Sequence, residues 1–267
     1  MSSPARSQVR VRHVGAAAHA VAAIVFSIAL MGVARYSGAQ PPSSEDKTGT
    51  NPLNLQHAVS LSNDFASLPD GLYINRTVYR WTVPVAARRG AVTLELPLAT
   101  GNVTGRTEMA FADVAASAVW TPWLGPRFGL LAGIDTTWNT ATNEALGSGR
   151  HTVAPFARGV FTPSPKTVLG VRYAHQRSVG DGLGPDINQG RIGVSALWLP
   201  TPLMWIAVEP EGILDIEREH KSGAVALEHG RLLMGGLSTL LRTRIGIGAV
   251  SARPFDWTVE FGFRIIP

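Results

Sequence analysis

Charged side chains at Arg76, Arg80, Glu95, Arg172, Arg191, Glu209, Glu211, Asp215, Arg242, Arg244, Glu260 and Arg264 each interrupt a stretch that is otherwise apolar at alternate positions. Charges of both signs, placed this way, fit two chemistries. They can neutralise one another inside a closed interior, or some of them can bind and guide a solute. Catalytic and metal chemistry find less support. His57, His151, His175, His220 and His229 occur in no spacing that resembles a nucleophile elbow or a zinc site. His175 and Ser178 are near enough in sequence to pair, but a histidine at a strand end needs no catalytic role. The GDGLG stretch at 180–184 lies between two strand-like segments and opens no helix, unlike a dinucleotide fingerprint. The chain therefore reads as a non-enzyme, with no cofactor and no metal expected.

The elements that must carry these charges are strands. From Trp257, the odd positions Val259, Phe261, Phe263 and Ile265 are large and apolar, whereas Thr258, Glu260, Gly262 and Arg264 are small or charged. That period of two places the two sets on opposite faces of a strand. The same alternation sets Val92, Leu94 and Leu96 against Thr93 and Glu95, and Met204, Ile206 and Val208 against Trp205, Ala207 and Glu209. Twelve candidate strands follow, near 54–64, 73–84, 90–99, 106–119, 127–138, 150–161, 167–177, 188–198, 203–216, 223–233, 239–249 and 256–266. Pro-containing turns at 120–126, 162–166 and 199–202 alternate with longer Gly-rich connections at 139–149 and 178–187. Short turns on one rim and long loops on the other are the pattern of a bacterial outer-membrane barrel.

The expected fold is thus all-β, a transmembrane antiparallel β-barrel of about 12 strands. A sheet that spans lipid must close so that no backbone group is left unpaired. The apolar faces then point to lipid and the charged faces line the interior, where Arg avoids a cost of about 2–4 kcal/mol at the bilayer midplane. Trp81, Trp120, Trp123, Trp198 and Trp257 fall near segment ends, as an interfacial girdle would. A final hairpin centred near Ala252 would bring Arg244 beside Glu260. A soluble secreted barrel with a lipophilic ligand would show much the same alternation, without the sorting of its loops.

Composition agrees. Charged residues make up 16% of the 267 residues, and there is no cysteine. The formal charge of +5 does not signal nucleic acid, because Arg6, Arg10, Arg12 and Arg35 lie in the first 39 residues, where no acid does. The remaining 20 basic residues face 19 acidic ones. The same arginines precede a 13-residue apolar core, Val21 to Val33, and Ser37 and Ala39 suit a cleavage site before Gln40. The expected organisation is a cleaved signal peptide over 1–39, a flexible Pro/Gly-rich lead-in over 40–52 and the barrel over 53–267.

Five stretches, DKTGTNPLNLQ (46–56), GIDTTWNTATNEALGSGRHTVAPFA (133–157), VRYAHQRSV (171–179), DINQGRIGVSALW (186–198) and EPEGILDIE (209–217), resemble in their order the phenol-degradation meta-pathway (MetA-type) family of outer-membrane barrels. The Asp-rich loop of that family is replaced here by GRTEMAFAD at 105–113. The resemblance implies a barrel of roughly twelve strands in the outer membrane. It also implies a role as a passive channel or transporter for small hydrophobic or aromatic compounds. The partners expected are outer-membrane lipid, the barrel-assembly machinery and a small hydrophobic solute. Alternatives from other classes are a structural or envelope-interaction barrel with a plugged lumen and no transport, and an outer-membrane lipid hydrolase.

Overall fold

A computed structural model describes residues 48–267, so the expected signal peptide and most of the lead-in lie outside the described residues. The alternating segments form β1 (Ala58–Ser67), β2 (Tyr73–Val85), β3 (Gly90–Gly101), β4 (Glu108–Phe111), β5 (Ala115–Leu124), β6 (Phe128–Thr137) and β7 (His151–Ser164). They continue through β8 (Thr167–Val179), β9 (Asn188–Thr201), β10 (Met204–Asp215), β11 (His220–Leu232), β12 (Leu237–Gly248) and β13 (Trp257–Ile265). Every pairing is antiparallel. The sheet closes where β1 meets both β2 and β13, with Leu61 opposite Tyr79 on one side and Phe263 on the other. β4 and β5 both pair with β3, at Leu98–Gly101 and Gly90–Glu95 respectively. They are two halves of one stave, so the closed barrel has twelve.

The rims differ as the turn chemistry requires. Connections at 86–89, 125–127, 165–166, 202–203 and 233–236 are tight and share one rim with the start of β1 and the end of β13. The opposite rim carries 68–72, 102–107, 138–150, 180–187, 216–219 and 249–256.

Burial is inverted relative to a water-soluble protein. Along β13, Trp257, Phe261 and Phe263 are exposed, while Thr258 and Gly262 are buried and Glu260 and Arg264 half-buried. Leu61, Tyr79, Val171, Ile192 and Leu227 extend the same apolar surface around the wall. In water each such side chain would forgo roughly 1.5–3 kcal/mol of burial, a penalty that a hydrocarbon surround removes. Trp81, Trp123 and Trp198 stand exposed towards the short-turn rim, and Trp120 lies beside Gly90. Towards the other rim Phe65 stacks on Tyr73, with ring centroids 5.6 Å apart, and packs on Trp257 at 5.5 Å.

The fourth expected strand, 106–119, is interrupted. Residues 112–114 leave the ladder because Asp113 turns inward to accept four hydrogen bonds from the loop 138–150. The Val114 N–H is likewise turned to the loop, donating to the Thr140 hydroxyl at 2.9 Å.

Candidate functional site

The inward face is layered along the barrel axis. At the short-turn end it is apolar. Leu131, Val160, Val168, Leu197 and Trp205 form a buried cluster, and Leu53 from the segment before β1 packs into it. Two glycines make room by close approach. A Cβ at Gly129 would lie 2.4 Å from Leu53, and one at Gly230 would lie 1.9 Å from the ring of Trp205. Trp205 has no exposed surface, and its Nε1 donates to Glu228 at 2.7 Å. The segment is further tied by Arg264, whose Nη1 donates to the Gly49 carbonyl at 3.0 Å. Residues 48–57, the last of the Pro/Gly-rich stretch and the residues that join it to β1, thus enter the barrel mouth, and Thr48 is buried.

Above this layer runs a belt of charge. Arg80 and Glu95 face each other on β2 and β3 and pair at 2.6 Å. Arg191 reaches Glu211 at 3.9 Å, and Arg242 bonds Glu209 with Glu228 at 3.9 Å. Three of the remaining candidates take partners from outside the expected set. Arg172 pairs with Asp135 at 2.5 Å, Arg244 with Asp64 at 2.6 Å, and Asp215 with Arg218 at 3.5 Å. Asp215 also accepts from Gln189 at 3.0 Å. Arg76 stands opposite Asp64 in register, and Glu260 stands between Asp64 and Arg242.

The expected pairing of Arg244 with Glu260 is not formed. In the β12–β13 ladder Arg242 faces Glu260, and Arg244 faces Thr258, to which its Nε donates at 2.8 Å. The hairpin centre lies one residue earlier than expected, and this moves every partner by two. Arg244 then reaches across β13 to Asp64 on β1. The same reach over an intervening stave joins Arg172 on β8 to Asp135 on β6, and Arg242 on β12 to Glu209 on β10. In a narrow barrel inward side chains converge, so a long guanidinium can span two staves, as Arg172 does by lying over the Phe156 ring at 4.5 Å. On the stave between Arg242 and Glu209 the buried Ala226 stands opposite Glu209 and leaves room for the guanidinium.

At the long-loop end the 138–150 loop is tied to the wall. The Asp113 carboxylate accepts from the backbone N–H of Thr140 and Ala141, each at 3.0 Å, and of Ser148 at 2.5 Å. The Ser148 hydroxyl adds a fourth bond at 2.7 Å. Leu146 is seated among Ala99, Ala110 and Ala112. Arg150 then ties this loop to the next one through the Gly184 carbonyl at 2.6 Å and Asp186 at 3.2 Å. Ser178 bonds Asp186 and Ile187 rather than His175.

Cavities lie between the inward side chains of the described residues. One, of about 220 Å³, lies along β7–β12 and includes Arg158, Arg172, Arg191, Glu209 and Arg242 in its lining. Another, of about 320 Å³, is bounded by Arg76, Glu95, Asp113, Ser148 and Gln176. Sequence reasoning missed Asp64, Asp135, Arg158 and Asp113. Asp135 and Arg158 share the alternation of their strands, so parity alone would have found them.

No family model matches this chain, and no curated protein does. Solved structures do. The chain is similar to the COG4313 outer membrane channel from Pseudomonas putida F1, with a TM-score of 0.68 at 10% identity over 86% of this chain and 100% of that one. It is also similar to the NanC porin, with a TM-score of 0.57 at 10% identity over 79% of this chain and 100% of that one. For the KdgM porin the TM-score is 0.56 at 8% identity, over 78% and 98% of the two chains. At these identities the likeness is one of fold: the chain has the architecture of the twelve-stave outer-membrane barrels.

Proposed function

We propose that this protein is an outer-membrane channel for small solutes that works by passive passage and carries out no chemistry. One observation carries this reading: a closed barrel with an apolar exterior surrounds a lumen that holds charges and cavities. A barrel made only for anchoring would gain more from a fully apolar interior, because buried ion pairs contribute little net stability. The similarity to solved channels supports the reading, and the order of the sequence motifs supports membership of the MetA-type family. In this reading the leader is removed before Gln40, the barrel-assembly machinery inserts the chain, and outer-membrane lipid covers the belt. The solutes are small compounds of the hydrophobic or aromatic kind that the family resemblance implies.

The apolar layer around Leu53 favours a second reading, a barrel whose lumen is stopped at the short-turn end. The two readings differ in whether the segment 48–57 leaves its seat. Leu53→Ala removes about 2–5 kcal/mol of packing, enough to weaken docking roughly 30-fold or more. The test is conductance in planar bilayers, with the folded barrel verified by its heat-dependent gel mobility. A channel predicts small or intermittent currents in the parent chain and larger, longer openings in Leu53→Ala. Electrical silence in both would leave the stopped barrel.

A further inference from the structure

The cavity along β7–β12 contains an arrangement that ion pairing does not explain. Arg158 on β7 and Arg172 on β8 are direct cross-strand partners, both facing inward. Like charges directly opposite one another destabilise a sheet. Arg172 is compensated by Asp135. Among the described residues Arg158 has no carboxylate within 4.0 Å, and its single hydrogen bond runs from Nη2 to the Ser195 hydroxyl at 3.1 Å. Glu209, which also lines this cavity, is engaged by Arg242. The Nε of Arg158 is shut off from solvent with no acceptor, as are those of Arg191 and Arg242. Buried donors left unpaired are costly and call for an explanation.

The surroundings fit an acceptor that comes from outside the chain. Gly170 and Gly193 remove two side chains around the arginines. A Cβ at Gly170 would meet Ser195 at 2.5 Å and Arg158 at 3.3 Å, whereas one at Gly193 would meet nothing nearer than 3.9 Å. The rest of the lining mixes Ile213, Ala224 and Phe255, whose ring faces Arg244 at 5.1 Å, with Glu209 and Glu211, which Arg242 and Arg191 already engage. A guanidinium presents its donors as a planar fork that matches a carboxylate. The volume of about 220 Å³ lies below the usual range for drug-sized ligands, so the guest must be small.

We propose that this cavity is a solute-binding subsite for a small organic carboxylate, with Arg158 as its recognition group and Arg172 and Arg191 beside it. The carboxylate would accept from the Nη edge of the Arg158 guanidinium, which no carboxylate of the described residues engages, and its carbon body would lie against Ile213 and Phe255. This rests on the channel reading only for its purpose, because binding is measurable without passage.

The test uses the full chain, folded in detergent at low salt, and isothermal titration with benzoate and with uncharged benzyl alcohol. Benzoate should bind saturably and at least about tenfold more tightly than benzyl alcohol. Arg158→Gln should weaken benzoate by about tenfold or more and leave benzyl alcohol unchanged. Arg158→Lys, which keeps the charge but not the fork, should fall between. A residue placed for binding against its own neighbour also predicts that Arg158→Gln melts no lower than the parent chain. Equal binding of the two probes, absent benzoate binding, unaltered benzoate affinity in Arg158→Gln, or a lower melting temperature in that variant would each overturn the proposal. Lack of conductance would count against the channel and not against this subsite.

Discussion

Asp113 should act as the latch of the long-loop end. Its carboxylate, largely buried, holds three backbone N–H groups and one hydroxyl of the 138–150 loop. Hydrogen bonds to a charged group contribute about 1.5–3 kcal/mol each, but four on one carboxylate do not add, and near a rim water re-solvates some freed donors. Asp113→Ala should therefore cost the closed loop roughly 3–5 kcal/mol, of which even 3 kcal/mol exceeds a hundredfold change in an opening equilibrium. Native-state hydrogen exchange reads this directly. The amides of Thr140, Ala141 and Ser148 should exchange about a hundredfold faster or more, while those of β8 and β11 keep their protection. Asp113→Asn should give an intermediate change, since its amide oxygen still accepts but its NH₂ faces donors. Unchanged exchange at Thr140 and Ala141 in Asp113→Ala would refute the latch. An equal rise in every stave would show that Asp113 supports the wall rather than the loop.

Two further outcomes test the register and the topology. In a double-mutant cycle on thermal or denaturant unfolding, Asp64→Ala and Arg244→Ala should couple by about 1–3 kcal/mol, whereas Glu260→Ala and Arg244→Ala should couple by less than about 0.5 kcal/mol; the reverse ranking would restore the sequence-based hairpin. Single cysteines at Asn143 and Gly182, in loops of the long rim, should label with an impermeant reagent on whole cells, and one at Ser164 beside the tight turn 165–166 should not; the opposite pattern would invert the barrel in the membrane.

The strands and their faces follow from the sequence alone because a β-strand has a side-chain period of two and each face meets a different medium. Phe261 and Phe263 could not share a face with Glu260 and Arg264, whatever the partners. Turn chemistry likewise sorted the connections into two rims, since loop length depends on local residues. Partner identity is another matter. It turned on the register of a single hairpin: moving its centre by one residue gave Arg244 to Thr258 and Asp64 in place of Glu260. Asp64 and Arg244 are 180 residues apart, and they meet only because the sheet closes on itself at β1 and β13. Closure also curves the wall so that Arg172 and Arg242 each reach over an intervening stave. Nothing in the local pattern marks Leu53 or Trp205 as members of one buried cluster. Only the closed barrel supplies the Gly129 and Gly230 surfaces that bury them. Asp113 read as one residue of a continuous strand, and its role depends on a loop some 30 residues later folding back to meet it. Local periodicity is written in the chain, but contacts that depend on closure and curvature exist only once all twelve staves are in place.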